Sequence, residues 1–233
     1  TVEYNKRKSE QIRRAIMARG FMGAILNVNL TTGNVHEEKL DEQMCRDFIG
    51  GYGIGAKLLY DRMPSGVDPL GPDNLLGFFT GPLTGTPCIE GNRFVVVCKS
   101  PLTETWGDAN CGGTFGPHLK FAGYDMLIVE GRASVPSYIS ICDDDVRICS
   151  AEHLWGKTVW ETDDLVREES GQHDTIVTCI GPAGENLVRF AAIVNDRHRA
   201  AGRSGVGAVM GSKNLKAISV RGTGGVPIAE PQD

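Results

Sequence analysis

The sequence predicts an α+β fold in which large mixed β-sheets carry flanking helices. Three observations support this class. Predicted strands outnumber predicted helices, the two kinds of element do not alternate as a doubly wound fold requires, and short polar turns join several neighbouring strands. The 233 residues, of which 41% are hydrophobic and 23% charged, suffice for one large domain or two small ones.

The first half of the chain begins with a predicted hairpin. Two strands, at 21–30 and 34–40, flank Thr31, Thr32 and Gly33, residue types that favour a turn. Helical periodicity and Pro/Gly content then predict, in chain order, helices at 41–48 and 55–62, a loop at 68–74, and strands at 75–80 and 94–98.

The second half is predicted to consist mostly of strands. Apolar or alternating runs predict them at 126–130, 138–142, 146–149, 176–180, 190–194 and 216–220. One helix is predicted at 162–169, with Thr162 as its N-cap and acidic residues in its first turn.

A five-residue motif recurs along the chain. The segment Pro82-Leu83-Thr84-Gly85-Thr86 is echoed at 101–105 and more loosely at 181–185. The recurrence is either a coincidence or a set of matching turns in a pseudo-symmetric arrangement of sheets.

Glycine is unusually frequent. The chain contains 30 glycines, against a usual share of about 7% of residues. They gather around residues 50–55, 81–91, 107–116 and 202–211. Because glycine allows backbone to approach another group closely, these clusters predict loops that pack against something.

The seven cysteines are scattered and odd in number. This pattern predicts free thiols, several of them buried, in a reducing compartment. No two cysteines are separated by only two residues, the spacing that zinc sites and cluster-binding loops favour. We therefore expect neither a thiolate zinc site nor an iron–sulfur cluster held by this chain alone.

The sequence predicts a cytoplasmic protein with no membrane or nucleic-acid partner, since no apolar run approaches the roughly 18 residues of a membrane span and no signal segment is evident. Residues 1–20 differ from the rest, with six Lys/Arg against two acidic residues. They predict a basic N-terminal arm, solvated or bound to a partner subunit. A membrane-surface helix is the less favoured alternative because the apolar face is thin.

The stretch from Arg197 to Lys213 is the strongest functional signal. It contains three arginines, a lysine and four glycines, in a chain of net charge −5. Arginine forks and glycine backbone N–H groups bind phosphate, and a helix starting at Ser204 or Gly205 would strengthen the same field. The alternative is a glycine-rich turn with solvated arginines.

Two common nucleotide-binding motifs are excluded. The segment 50–57 resembles a P-loop, but Ala56 stands where that motif needs lysine. Glycines 51, 53 and 55 are also one residue short of the dinucleotide fingerprint, and no clear strand precedes them.

Several longer motifs follow one another in a fixed order. They are the segments at 82–86, 91–94, 99–103, 110–116, 119–125 and 181–193, followed by the arginine–glycine stretch. Together they resemble the N-terminal domain of the tungsten-containing aldehyde:ferredoxin oxidoreductases, over residues 21–224. Residues 225–233 are then expected to be a tail or a linker towards C-terminal domains.

The resemblance implies a domain that holds half the surroundings of a tungsten bis-pterin cofactor (tungstopterin), with two pterin phosphates bridged by Mg²⁺. The residues it implies as cofactor contacts are Arg93, Asn110, Gly112, Arg199, Ala200, Gly202 and Arg203, with Asn110 and Ala200 at the Mg²⁺. Each has a structural alternative. Asn110 could hold a left-handed turn, Gly112 could serve only a tight bend, and Arg93 could be a surface charge at a strand end.

At Cys111 the family commonly has serine. The substitution is either neutral or a change in the pterin surroundings; a thiol ligand to the metal is the least favoured alternative.

The resemblance also implies an activity for a larger assembly. In this family the 4Fe–4S cluster and the catalytic acid and base belong to C-terminal domains, so we expect a second segment or subunit to carry them and this chain alone to be inactive. The holoenzyme would be an oligomer that oxidises aldehydes to carboxylates with ferredoxin as acceptor, using tungsten or molybdenum. The alternatives are a stand-alone pterin-binding or scaffold protein, and part of a tungsten aromatic acyl-CoA reductase.

Overall fold

The computed structural model describes residues 19–229, so most of the predicted basic arm lies outside the described residues. The first half contains β1 Ala24–Asn29, β2 Asn34–Lys39, α1 Glu42–Phe48, α2 Gly51–Arg62, β3 Leu76–Thr80, β4 Phe94–Lys99, β5 Trp106–Cys111, α3 Phe115–Phe121 and β6 Met126–Glu130. The second contains β7 Ser137–Cys142, β8 Asp145–Ser150, a 3₁₀ turn at Glu152–Leu154, α4 Val159–Ser170, β9 Ile176–Cys179, α5 Pro182–Glu185, β10 Ile193–Asn195, β11 Arg199–Ala201, α6 Val206–Ser212 and β12 Leu215–Arg221.

The strands form two six-stranded mixed sheets that share one topology. The first sheet has the order β2-β1-β6-β3-β4-β5 and the second the order β8-β7-β12-β9-β10-β11. Adding six to each strand number of the first sheet gives the second. In both sheets a single parallel pair, β1–β6 or β7–β12, lies among antiparallel neighbours. The α+β class with mixed sheets and the predicted pseudo-symmetry are confirmed.

The helices follow the same repeat. α2 precedes β3 as α4 precedes β9, and α3 joins β5 to β6 as α6 joins β11 to β12. The recurring motif is explained only in part by this symmetry. The turns at 82–86 and 181–185 occupy equivalent places after β3 and β9, whereas the turn at 101–105 follows β4.

The main hydrophobic core lies between the two sheets. Side chains that alternate along each strand, such as Leu26 and Val28 on β1 and Ile139 and Ile141 on β7, meet there with apolar residues of α3 and α6. The outer face of the first sheet packs against α1 and α2, and that of the second against α4. Burial of apolar surface on both faces of each sheet stabilises this layered arrangement.

Several predicted boundaries are wrong for identifiable reasons. The second helix begins at Gly51 rather than at residue 55. The helix predicted at 162–169 begins at Val159, because Thr158 and not Thr162 is the N-cap: Thr158 and Glu161 form a capping box. The strand predicted at 190–194 is β10, at 193–195. The sequence patterns also missed β5, β11, α3 and α5. α6 begins after Gly205, one of the two residues named as a possible helix start.

All seven cysteines are free, as predicted. Four of them are buried: Cys45, Cys98, Cys111 and Cys179. Burial raises the pKa of the Cys98 and Cys179 thiols to about 12, so both are protonated at neutral pH. Within residues 19–229, no helix has both the length and the apolar composition needed to cross a bilayer.

The two ends of the described chain run side by side. The Gly20 amide donates to the Pro227 carbonyl at 2.7 Å, and the Gly224 amide donates to the carbonyl of Phe121 on α3. The boundary predicted at residue 224 stays a prediction.

Candidate functional site

The candidate site lies where β5 of the first sheet meets β11 of the second. These strands are equivalent in the repeat, and each is followed by a glycine, Gly112 or Gly202, in the loop before α3 or α6. Asn110 on β5 therefore corresponds to Ala200 on β11. This junction of β5 and β11, called the seam below, brings together residues separated by about ninety positions in the sequence.

Arg93 is placed beside Asn110 by the pairing of β4 with β5. Arg93 immediately precedes β4, whose second residue, Val95, lies opposite Asn110. The Arg93 Nε–H donates to Asn110 Oδ1. The arginine is exposed and Asn110 is half-buried, so both remain open to solvent on one side.

Arg93 and Arg199 converge on Gly112. A Cβ atom at Gly112 would lie 3.6 Å from Arg93 Nη1 and 3.7 Å from Arg199 Nη1. The missing side chain thus leaves a space that two guanidinium groups border. Gly202 is similarly open, since a Cβ there would meet only the Ala200 side chain, at 3.7 Å.

Within residues 19–229, the site arginines lack acidic partners. Among the ion pairs of residues 19–229, none involves Arg93, Arg199 or Arg203. By contrast, Arg197 in the same turn pairs with Asp163 at 2.8 Å. Two unpaired cations near one point repel each other, and an anion with several oxygens would offset that repulsion.

The predicted site residues are therefore partly brought together. A hydrogen bond joins Arg93 to Asn110, and the guanidinium groups of Arg93 and Arg199 border the space beside Gly112. Ala200 and Gly202 continue along the same strand and loop, and Arg203 follows, exposed. Asn110 is a strand residue and lacks a positive φ, which rules out the alternative that it holds a left-handed turn. Gly112 also lacks a positive φ; the tight bend falls at Gly113, with φ of 97°.

Residues that the sequence motifs did not single out join the loop after β5 to the end of β10 and the turn that follows it. The Asn195 Nδ2 donates to the Gly112 carbonyl at 2.8 Å. The Asp196 carboxylate accepts from the Thr114 amide at 2.7 Å and from the Thr114 hydroxyl at 2.8 Å. These partners lie 82 or 83 positions apart, so no local pattern could have revealed them.

A second contact holds the loops at the other end. The Ser204 hydroxyl donates to the Asp108 carbonyl at 2.9 Å and accepts from the Asp108 amide at 3.1 Å. The Ser100 hydroxyl donates to the Ser204 carbonyl at 2.9 Å. The sequence indicates Ser204 or Gly205 as a possible helix start, and Gly205, with φ of 69°, is the N-cap of α6.

One buried polar atom near the site lacks a partner. Asn195 is fully buried, and its Oδ1 is the one buried side-chain oxygen or nitrogen within residues 19–229 without a hydrogen bond. Its Nδ2 is already committed to Gly112, which fixes the orientation of the amide. Such unpaired buried polar atoms are rare in native structures.

The Cys111 thiol is not poised as a metal ligand. The side chain is 1% exposed and belongs to the core between the sheets. Burial raises the pKa of the thiol to about 11, so it is protonated at neutral pH. Within the described part of the chain, no cluster of three or more His, Cys, Asp or Glu side chains could hold a metal ion.

Comparison with known families gives a match over nearly the whole described chain. The family model described as "Aldehyde ferredoxin oxidoreductase, N-terminal domain" matches residues 25–222. The tungsten-containing aldehyde ferredoxin oxidoreductases of Pyrococcus furiosus and Thermococcus kodakarensis are each 53% identical over 213 residues, covering 91% of this chain. The chain spans only 35% of the length of these relatives.

Two proteins named for other substrates also match. An aliphatic sulfonate oxidoreductase, WOR-like subunit, of Pyrococcus furiosus is 39% identical over 222 residues, covering 89% of this chain and 35% of its own. Among solved structures, the active-site complex BamBC of benzoyl coenzyme A reductase, in complex with 1,5-dienoyl-CoA, matches with a TM-score of 0.90 and 41% identity. The match covers 93% of this chain and 33% of that one.

Proposed function

The chain belongs to the aldehyde ferredoxin oxidoreductase N-terminal-domain family, and from this premise we propose that it binds a tungsten bis-pterin cofactor within a larger oxidoreductase. The assembled enzyme oxidises aldehydes to carboxylates and passes the electrons through a 4Fe–4S cluster to ferredoxin. The cluster and the catalytic acid and base lie in domains or a subunit beyond this chain.

The observation that carries the proposal is the convergence of Arg93 and Arg199 on the open space at Gly112. Both guanidinium groups are free of acidic partners from the described chain and border a surface that is open to solvent. Paired phosphates of a bis-pterin cofactor would supply the anionic charge that this arrangement lacks.

The residues present fit such a group. Arg93, Arg199 and Arg203 would contact phosphate oxygens, and the glycines at 112 and 202 leave room for backbone to approach the cofactor. Asn110 Oδ1 and the Ala200 carbonyl are oxygen donors of the hard type that Mg²⁺ binds, and phosphate oxygens and waters would complete its shell.

When bound, tungsten supplies the two-electron chemistry. The residues of this chain would bind and orient the cofactor. The proposal gives this chain cofactor binding and places most of the residues that select the substrate in the remainder of the assembly.

Aldehyde is favoured over other substrates because identity is higher to the two aldehyde ferredoxin oxidoreductases, at 53%, than to the sulfonate enzyme, at 39%, or to the benzoyl-CoA reductase complex, at 41%. Reduction of an aromatic acyl-CoA is the second candidate, favoured by the TM-score of 0.90. A stand-alone pterin-binding or scaffold protein is the third.

Metal and pterin analysis of the full protein tests the proposal. We expect tungsten and two pterins per chain, and we expect Arg199→Ala to lower both contents at least severalfold without unfolding the protein. Arg147→Ala is the matched control, since it removes one exposed arginine from β8, far along the second sheet. Full cofactor occupancy in Arg199→Ala would contradict the site assignment.

A further inference from the structure

Two sets of hydrogen bonds bracket the candidate site, one at each end of the seam between β5 and β11. At one end, Ser204 is bound to Asp108; at the other, Asp196 is bound to Thr114. Every site residue contributed by these strands and their loops lies between the two: Asn110 and Gly112 on one side, and residues 199–203 on the other.

We propose that Thr114, Asp196 and Ser204 are positioning residues that set the distance between the arginines of the two halves before any anion is bound. The proposal rests on the proposed function, since it assigns these residues to the same anion-binding surface. These residues hold the two sides of the surface together and do not themselves contact the ligand.

The backbone conformation at both sets of hydrogen bonds supports this role. Asp196, Arg197 and Ser204 have φ values of 48°, 61° and 62°, in the left-handed region that non-glycine residues rarely adopt. Such conformations persist only where neighbouring contacts hold them. Asp196 is held by Thr114, and Ser204 by Asp108 and Ser100, so the side-chain hydrogen bonds and the unusual backbone occur together.

The charges at the site explain why positioning is needed. Arg93 belongs to the first half and Arg199 to the second, and without an anion they repel each other across Gly112. If the seam could widen, the arginines would separate and the cost of closing it would reduce anion affinity. Hydrogen bonds from Thr114 and Ser204 resist that separation.

The chain contains a matched control for the hydrogen bonds between Thr114 and Asp196. Thr223 donates its amide and its hydroxyl to the Asp143 carboxylate at 2.7 Å and 2.8 Å, the same pair of bonds that Thr114 makes to Asp196. Both threonines are exposed. Thr114→Val and Thr223→Val thus remove chemically identical hydroxyls, one at the seam and one on a different loop.

The test uses inorganic pyrophosphate as the probe, titrated by calorimetry into the cofactor-free full-length protein, with the thermal midpoint measured in parallel. We expect Thr114→Val and Ser204→Gly each to weaken pyrophosphate binding about tenfold, and Thr223→Val to leave it unchanged. Glycine tolerates the φ of Ser204, so the second variant loses the hydroxyl without new strain. Thr114→Ser, which keeps the hydroxyl, should bind as the wild type does.

The outcomes separate this inference from the proposed function. Suppose that Arg199→Ala still weakens pyrophosphate binding. The positioning role is then overturned alone if Thr114→Val and Thr223→Val bind pyrophosphate equally well, or if Thr114→Ser does not restore wild-type affinity. If the wild-type protein does not bind pyrophosphate, or Arg199→Ala binds as tightly as the wild type, the proposed function fails and this inference with it. The positioning role is also overturned if the Thr114→Val and Ser204→Gly variants lose pyrophosphate affinity only in proportion to their fall in thermal midpoint.

Discussion

Lys120 and Asp125 form an ion pair with no solvent exposure of either side chain, at 3.6 Å between Nζ and Oδ1. The Lys120 ammonium also donates to the carbonyls of Gly20 and Gly81, and the carboxylate accepts from the amides of Met22 and Gly23. The pair thereby fixes the entry to β1 and the turn after β3.

Replacing Lys120 with methionine should be strongly destabilising. The substitution leaves the Asp125 carboxylate buried without its counter-charge, and breaking a buried pair in this way typically costs about 3–5 kcal/mol. Urea unfolding measures the change in the free energy of unfolding. Lys57→Met is the control: its pair with Asp61 is shorter, at 2.5 Å, but exposed, so we expect a loss of about 1 kcal/mol or less. Similar losses in both variants would contradict the burial argument.

Alanine should have different effects at two adjacent glycines of the site: a loss of binding at Gly112 and a loss of stability at Gly113. In Gly112→Ala the new Cβ makes only ordinary contacts with the arginines, so stability should be unchanged while cofactor content or pyrophosphate affinity falls. In Gly113→Ala the Cβ would lie 2.3 Å from Asp196 Oδ2, at a φ of 97°, so the thermal midpoint should drop. The two readouts are pyrophosphate titration and thermal unfolding. Equal effects of both variants on stability would refute the assignment of Gly112 to the binding surface.

Cys111→Ser should alter stability rather than metal content. The thiol is buried in the core and protonated, and a hydroxyl there loses an apolar contact, for which we expect a cost of about 1–2 kcal/mol. Tungsten per protein chain, measured by elemental analysis, should match the wild type. A fall in tungsten at unchanged stability would show that the thiol acts on the cofactor.

Protonation of His118 should destabilise the protein in mild acid. Burial lowers the pKa of this imidazole below 6.5, against the opposing effect of Asp174 and Asp196. As the pH falls through about 6.5, the unfolded chain therefore binds the proton before the folded one does, and the free energy of unfolding decreases. Between about pH 7.5 and about pH 5.5 the wild type should lose more stability than His118→Gln. His36→Gln, on the exposed face of β2, serves as the control and should follow the wild type.

The sequence predicted those parts of the fold that local patterns specify. The β1–β2 hairpin follows from its turn residues and α1 from its helical periodicity, with Asp41 as the N-cap in the structure. The capping box at Thr158 and Glu161 was readable and was overlooked. β11 could not be read, because Arg199-Ala200-Ala201 has little strand propensity and is ordered by its pairing with β10. The glycine-rich α6 is likewise helical because it is buried in the core, not because its residues favour helix.

For the candidate site, the motifs predicted which side chains would face an anion but not what holds them in place. The pairing of Arg93 with Asn110 and the approach of Arg199 agree with the expected convergence. The roles of Asn195 and Asp196 depend on hydrogen bonds across more than eighty residues, which only the folded chain reveals.

The identical strand order of the two sheets is the arrangement expected from duplication and fusion of a half-length ancestor. Such an ancestor would have paired with itself, and its binding surface would have lain on the symmetry axis with the same residues on both sides. In a fused chain the two copies would be free to diverge. Position 110 carries an amide side chain, whereas its counterpart, Ala200, has only a backbone carbonyl to offer, so a ligand at the seam would meet two unlike sets of groups.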